Sequence, residues 1–200
     1  MCIRDSVYKL IKLVSNSQFT KNKTTIGFVG APWTLLVYII NKKSPKLSLN
    51  ENFFEDKFLI DKVLKILDKF LKIHIKNQIE NGAQIIQIFD SWAGLLKEKD
   101  LPHYIYDPTL SLVNYTKSLN VPVICFPKGI RNYKDFCEII KPDAICIDYE
   151  VHPVKINKEI IRDKDYILNQ KLFIKETHQK DLYIVIYVGK KKYGIVELIT

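Results

Sequence analysis

Four short apolar runs, separated by helical segments, constrain the fold of this chain more than any other feature. The runs cover residues 24–29, 83–89, 121–126 and 144–147. Continuous apolar strands of this kind are typical of sheets that are covered on both faces. Because strands that alternate with helices form right-handed βαβ units, the sequence predicts a parallel sheet built from four βα units.

The segments between these runs carry apolar residues at helical spacing. Helices are predicted at about 7–15, 33–40, 51–81, 107–119 and 131–140. Asn81-Gly82 is predicted to end the longest helix, and Asp107-Pro108 to form the N-cap and first turn of the next. The predicted apolar face of the longest helix consists of Ile60, Val63, Leu64, Leu67, Phe70, Leu71, Ile75 and Ile79.

Each predicted strand ends in polar or conformationally special residues. These are the sequence GAPW at 30–33, Asp90-Ser91, Lys128-Gly129 and the sequence DYE at 148–150. In α/β sheets and barrels, ligands bind at the carboxyl ends of the strands. Any one of these residues alone is more often a loop residue or a helix cap. Four such strand ends on the same side of a sheet or barrel favour a functional site.

Composition and charge exclude several classes of protein. The chain has 200 residues, of which 47% are hydrophobic and 26% charged, as in one ordinary globular domain. No apolar run approaches the roughly 18 residues that a membrane-spanning helix needs, and charged residues interrupt any signal peptide. The net charge is +9, with +7 in the first fifty residues and +4 in the last fifty. This distribution does not favour a nucleic-acid-binding stripe.

The four cysteines, Cys2, Cys125, Cys137 and Cys146, lack the spacing of a metal site or a disulfide framework. Free cysteines commonly behave as small buried hydrophobes. The sequence therefore predicts reduced thiols, no metal site and a cytoplasmic protein.

Four segments resemble the uroporphyrinogen decarboxylase family, in order and at matching separations. They read IGFVGAPWTLLVYII, QIIQIFDSWAGLL, VPVICFPKG and DAICIDYEV, and the resemblance covers about residues 7–160. It implies an α/β fold of the (β/α)8 TIM-barrel type, here a partial barrel with about four recognisable βα units. It also implies a cytoplasmic, cofactor-free carboxy-lyase of haem biosynthesis, usually a homodimer. Such an enzyme removes the four acetate carboxyls of uroporphyrinogen III as CO2, leaving coproporphyrinogen III.

The resemblance also indicates which residues form the site. Tyr38 falls on the family's active-site tyrosine and is the expected catalytic residue, while Tyr38, Phe89 and Ser91 are the expected substrate-binding residues. From its position alone, Ser91 could donate a hydrogen bond to a substrate carboxylate. Periodicity alone would instead make Tyr38 a core residue, because buried tyrosines usually pack their rings and satisfy their hydroxyls. Trp33 is expected to pack.

Both ends of the chain depart from the family pattern. The family's amino-terminal third has no counterpart in this sequence. The arginines that bind substrate carboxylates and the aspartate that holds the pyrrole N–H groups belong to that third, so they have no counterpart either. After residue 160, neither the QG-x-L/M-DP strand nor the later histidine is found. We therefore expect a fragment: a family-like part at 1–160 and a divergent tail at 161–200, which is a β-hairpin or a frameshift product.

Two other functions stay open. A cobalamin-linked methyltransferase of the same superfamily would need a zinc-binding His/Cys set, whose spacing the cysteines lack. A non-catalytic protein whose basic ends bind an anion or nucleic acid would be retained on DNA with a strong dependence on salt.

We expect no measurable decarboxylation from the 200-residue chain alone. Decarboxylation without a cofactor requires positioned carboxylates and electrostatic stabilisation of the charge that develops, and the family's groups for both have no counterpart here. The check is anaerobic incubation of the purified chain with uroporphyrinogen III and quantification of coproporphyrinogen. Product formed faster than in protein-free buffer would contradict this expectation.

Overall fold

The computed structural model describes residues 3–41, 49, 54, 56–148, 184–189 and 192–193. The helices are α1 (Ile3–Ser15), α2 (Pro32–Asn41), α3 (Lys57–Glu80), α4 (Asp107–Ser118) and α5 (Tyr133–Ile140). The strands are β1 (Ile26–Gly30), β2 (Ile85–Asp90), β3 (Val123–Pro127), β4 (Ala144–Ile147), β5 (Ile184–Gly189) and β6 (Lys192–Tyr193). Short 3-10 turns cover Gln18–Thr20, Ala93–Leu95 and Glu98–Asp100.

The six strands pair in chain order to form one sheet. Strands β1 to β5 are parallel, and β6 runs antiparallel to β5. The prediction of four parallel strands that alternate with helices is confirmed, and β4 has its predicted bounds. The β5–β6 pair, in which Gly189 lies opposite Lys192, falls in the predicted tail. The division of the chain at residue 160 stays a prediction.

The helices cover one face of the sheet and leave the other open. On the covered face, fully buried residues of the strands and helices form one large core, including Leu36, Ile75, Ile86, Ile88, Leu112 and Ile145. The other face, called the open face below, carries a separate cluster of Ile124, Ala144 and Cys146 with Ile85 and Phe126 against it. Ile26 and Phe28 are 46% and 65% exposed. Burial of each large aliphatic side chain contributes about 1.5–3 kcal/mol, so the helix-covered face carries most of the stabilisation.

Among the described strands, β1 lies at the edge of the sheet, and Gln78 of α3 covers part of that edge. The Phe28 N–H donates to Gln78 Oε1 at 3.0 Å, and Gln78 Nε2 donates to the Phe28 carbonyl at 3.0 Å. The side-chain amide thereby takes the place of a peptide group in a neighbouring strand. Gln78 is only 2% exposed, so its amide would otherwise remain unpaired away from water.

The apolar face of α3 differs from its prediction at Phe70. Ile60, Leu64, Leu71 and Ile75 are buried as predicted, but Phe70 is 54% exposed. The prediction for Phe70 was wrong because the neighbouring position, Leu71, faces the sheet and successive helical residues point about 100° apart. The helix begins later than predicted, after Asp56, whose side chain accepts a hydrogen bond from the Leu59 N–H at 2.8 Å. Its predicted end is confirmed by Gly82, which has φ +108°.

The prediction that Asp107 is an N-cap was wrong. The chain is already helical from Leu101 through a π-helical turn at Pro102–Tyr106, and the Asp107 N–H donates to the carbonyl of Pro102. Pro108 has no N–H, and its ring would clash with a carbonyl four residues earlier. A π turn just before a proline relieves that clash, because it displaces the carbonyls from the regular α-helical ladder.

We expect Gln78→Met to destabilise the chain by about 1–3 kcal/mol, because the variant keeps the volume but leaves the Phe28 N–H and carbonyl without their partner. The matched control is Gln84→Met, since exposed Gln84 accepts from the Thr25 N–H just before β1 and the variant should change stability by less than about 0.5 kcal/mol. Urea unfolding followed by circular dichroism measures both. Equal losses in the two variants would rule out a special role for the buried amide.

Candidate active site

Successive residues at the end of β2 point to opposite faces of the sheet. Phe89 lies on the open face, where its ring contacts Phe28 and Phe126. Asp90 lies on the covered face, is 3% exposed and contacts α2. Ser91 follows directly and is half-buried. This alternation is the two-residue period of a strand, and it separates an aromatic surface from a buried acid.

The carboxyl group of Asp90 joins β2 to α2 and to the turn that follows the strand. Thr34 Oγ1 donates to Asp90 Oδ1 at 2.7 Å, and the Trp92 N–H also hydrogen-bonds to the carboxyl. The second oxygen, Oδ2, is buried and has no hydrogen-bond partner among the described residues. Burial raises the pKa of Asp90 from 3.8 to about 7, and the hydrogen bonds from Thr34 and Trp92 oppose that rise.

Two aromatic contacts also attach α2 to the same turn. The Trp33 Nε1–H donates to the Trp92 carbonyl at 3.0 Å. The Tyr38 ring meets the Trp92 ring edge-on, with centroids 6.1 Å apart and planes at 75°. Tyr38 is 42% exposed, so it is not the core residue that periodicity alone predicted. The structure therefore brings Tyr38 to the residue that follows Ser91.

A row of aromatic rings runs across the open face below this turn. Phe28, Phe89 and Phe126 come from three adjacent strands, and both neighbouring pairs have centroids 6.0 Å apart with nearly perpendicular planes. Edge-to-face contacts of this kind are favourable beyond the area that they bury. The row provides an apolar surface on the open face, and Ser91 follows one of its members, Phe89, by two residues.

The ends of β2 and β3 are joined by their own backbones. The Lys128 N–H donates to the Asp90 carbonyl at 3.0 Å, and the Gly94 N–H donates to the Lys128 carbonyl at 2.9 Å. A Cβ on Gly94 would lie 2.7 Å from the Gly129 carbonyl oxygen, and Gly129 itself has φ +79°. Both glycines are therefore required for this close approach. Asp148 follows β4 and is half-buried, while Tyr149 and Glu150 lie outside the described residues.

Comparison with known proteins identifies the family. The model of the uroporphyrinogen decarboxylase family matches residues 4–168. The uroporphyrinogen decarboxylase of Rickettsia bellii is 33% identical over 193 residues, which cover 90% of this chain and 56% of the relative. That of Campylobacter jejuni is 38% identical over 133 residues, covering 64% and 39%. That of Orientia tsutsugamushi is 34% identical over 164 residues, covering 78% and 47%.

The chain belongs to the uroporphyrinogen decarboxylase family. The resemblance predicted over about residues 7–160 is confirmed, and so is the fold: the four βα units are part of an α/β barrel of the TIM type. The chain spans about half the length of the curated relatives that it matches.

The three site residues predicted from the family pattern lie around the end of β2. Phe89 belongs to the aromatic row, Ser91 lies in the turn, and Tyr38 reaches the turn through Trp92. Trp33, expected to pack, is fully buried. Thr34 was not among the predicted site residues, and Asp90 was predicted only as a polar strand end. The sequence did contain a signal for this pair. Asp90 is an acid at the end of the apolar strand β2, and Thr34 is a hydroxyl residue in the first turn of α2, the helix that follows the neighbouring strand β1.

Two open cavities lie near this family site without including its predicted residues. One, of about 350 Å³, lies over the ends of β2 and β3, and its lining includes Gly94, Lys97 and Arg131. The other, of about 560 Å³, lies beside the 93–100 turn, and its lining includes Phe54 and Tyr104.

The described residues also bear on the predictions for cysteines, metal sites and membrane spans. Cys125, Cys137 and Cys146 are buried thiols, as predicted, and Cys2 lies outside the described residues. Within the ranges that the structure describes, no three His, Cys, Asp or Glu side chains gather closely enough to hold a metal ion. None of the helices described there is long and apolar enough to cross a membrane.

We expect the pH dependence of stability to change in Asp90→Asn. The pKa of Asp90 is raised from 3.8 to about 7 on folding, so between these pH values the native state binds more protons than the unfolded state. The free energy of unfolding should therefore fall with rising pH in this window, by up to about 1.4 kcal/mol per pH unit, and level off above it. Asparagine removes this term and should be more stable than the parent above pH 7.

Urea unfolding at a series of pH values from 4.5 to 8.5 measures this difference. The control is Asp107→Asn, which removes an exposed carboxylate. If the Asp90→Asn and parent curves stay parallel across the window, Asp90 does not carry a proton in the native state.

Proposed function

We propose that this chain supplies the central βα units of an active site that decarboxylates the four acetate side chains of uroporphyrinogen III to give coproporphyrinogen III. The observation that carries the proposal is the arrangement at the end of β2, where a hydroxyl, a phenol and an aromatic surface come together in a chain of this family. The relatives that it matches are named for this activity. The proposed enzyme class is a carboxy-lyase.

The aromatic row would bind the apolar part of the substrate. A porphyrinogen is a ring of four pyrroles with carboxylate side chains, so its faces are apolar and its rim is anionic. Phe28, at 65% exposed, and its neighbours Phe89 and Phe126 would pack against pyrrole faces. Apolar rings that bury such a ligand supply binding free energy, while a few polar groups at the edge fix its orientation.

Ser91 and Tyr38 would supply the polar contacts at the rim. Ser91 follows Phe89 by two residues, in the turn after β2, and its hydroxyl would donate to a substrate carboxylate at the edge of the aromatic row. Tyr38, 42% exposed and held against Trp92, presents its phenol from α2 toward the same edge and is the proposed catalytic residue. Hydrogen bonds that strengthen as charge moves during the reaction are the ones that accelerate it.

Other parts of the proposal come from the family resemblance. We propose that no cofactor takes part, that the complete protein acts as a homodimer, and that it is cytoplasmic. We expect no nucleic-acid partner, because the excess positive charge lies in the first and last fifty residues and not along one element of the barrel.

A chimera tests the proposal. Residues 4–168, the span of the family match, would replace the corresponding segment of the Rickettsia bellii uroporphyrinogen decarboxylase. We expect this chimera to form coproporphyrinogen. Tyr38→Phe and Ser91→Ala should each lower kcat/KM about 10- to 100-fold, because each removes one hydrogen bond to a charged group.

The matched controls are Tyr115→Phe and Ser118→Ala on α4, which make the same chemical changes on a helix outside the site. They should keep the activity of the parent chimera. A folded chimera without activity would overturn the assignment of this function to the chain. Equal activity in site and control variants would overturn the roles of Tyr38 and Ser91.

A further inference from the structure

We propose that Asp90 is a positioning residue, which holds Ser91 and Tyr38 beside each other by joining the turn after β2 to helix α2. The inference rests on the proposed function, because it concerns the arrangement of that site. Asp90 itself lies on the covered face of the sheet, 3% exposed and away from the aromatic row. It would therefore act through its neighbours and not by touching substrate.

The contacts of Asp90 reach both substrate-facing elements. Through Oδ1 it accepts from Thr34, which lies one helical turn before Tyr38 on α2. Through the Trp92 N–H it fixes the residue that follows Ser91. Ser91 is thus held on both sides, by Asp90 in the chain before it and by Trp92 after it.

Two further contacts complete a closed loop of interactions. Trp33 donates to the Trp92 carbonyl, and the Tyr38 ring packs on the Trp92 ring. Starting from Asp90, the loop passes through Thr34 and along α2 to Tyr38, then to Trp92, and returns to Asp90. Loss of the Thr34–Asp90 bond would remove the hydrogen bond that joins the Asp90 carboxyl to α2 and leave the contacts of the two tryptophans in place.

Because Oδ2 of Asp90 has no hydrogen-bond partner among the described residues, the protonated, neutral form of the carboxyl suits the positioning role. A neutral carboxyl can accept the Thr34 and Trp92 hydrogen bonds on its carbonyl oxygen and carry its proton on Oδ2. Asparagine has the same shape and the same carbonyl acceptor, so Asp90→Asn should preserve the positions of Ser91 and Tyr38. Asp90→Ala and Thr34→Val each remove one end of the bond and should not.

The experiment uses the full 200-residue chain and its two tryptophans as probes. Trp33 and Trp92 are the only tryptophans in the sequence, and both belong to the loop of contacts, so near-ultraviolet circular dichroism in the tryptophan region reports on this site. The variants are Thr34→Val, Thr34→Ser, Asp90→Ala and Asp90→Asn. Thr109→Val on α4 is the control, because it makes the same change at a threonine that is 2% exposed, with a hydroxyl that has no partner among the described residues.

We expect Thr34→Val and Asp90→Ala to reduce the tryptophan signal in the folded chain, and Thr34→Ser, Asp90→Asn and Thr109→Val to keep it. Binding of uroporphyrinogen III, followed anaerobically by quenching of tryptophan emission, should weaken about five- to tenfold in the first two variants only. A purely structural role would lower the stability of Thr34→Val and Asp90→Ala but leave the affinity of the folded variants for uroporphyrinogen III unchanged.

The outcomes separate the two proposals. If the parent chain binds uroporphyrinogen III and Thr34→Val and Asp90→Ala match it in signal and affinity, the positioning role is wrong and the proposed function stands. If the parent chain does not bind uroporphyrinogen III while the chimera forms coproporphyrinogen, the proposed function stands, and equal tryptophan signals in the parent, Thr34→Val and Asp90→Ala would overturn the positioning role. If the folded chimera is also inactive, the proposed function fails, and the role of Asp90 toward substrate fails with it.

Discussion

The burial of one carboxyl group at the end of β2 is the interaction on which the rest of the site depends. Asp90 is placed in the core by the two-residue period of its strand, because Ile86 and Ile88 on the same face are fully buried beneath the helices. Burial makes ionisation costly, so the group needs hydrogen-bond donors close by. Thr34 and the Trp92 N–H are those donors, and their positions determine how α2 meets the turn.

The same alternation explains why an aromatic residue and an acid are neighbours in the sequence. Phe89 must face the open side of the sheet if Asp90 faces the helices, and its ring then joins the row formed with Phe28 and Phe126. A shift of one residue in register would bring the carboxyl to the aromatic surface and the ring into the helix-covered core. The backbone bonds from Lys128 and Ala31 to Asp90 and Phe89 hold that register.

Much of the fold could be predicted from sequence because its signals are local. Apolar runs gave four strands, and β4 was correct to the residue. The errors occurred where a distant contact decides the outcome. Phe70 is exposed while polar Gln78 is buried, since the edge of β1 supplies the Gln78 amide with partners that lie fifty residues away in sequence. Asp107 looked like a cap because the π turn before Pro108 has no simple local pattern.

The candidate site could also be predicted only in part, because the position of Tyr38 is decided by contacts between segments that are distant in the sequence. Ser91 could be found from a strand end and Phe89 from the family resemblance, but the exposure of Tyr38 and its contact with Trp92 depend on how α2 packs on the turn. Periodicity treats an apolar helix as buried all round, but the buried residues of α2 are Pro32, Trp33, Thr34, Leu36 and Val37, all before Tyr38. The Asp90–Thr34 bond fixes the rotation of the helix about its axis, because a buried hydroxyl donor must face its acceptor. With Thr34 directed at the strand, Tyr38 is carried to the edge of the buried face, where its phenol can reach solvent and a ligand.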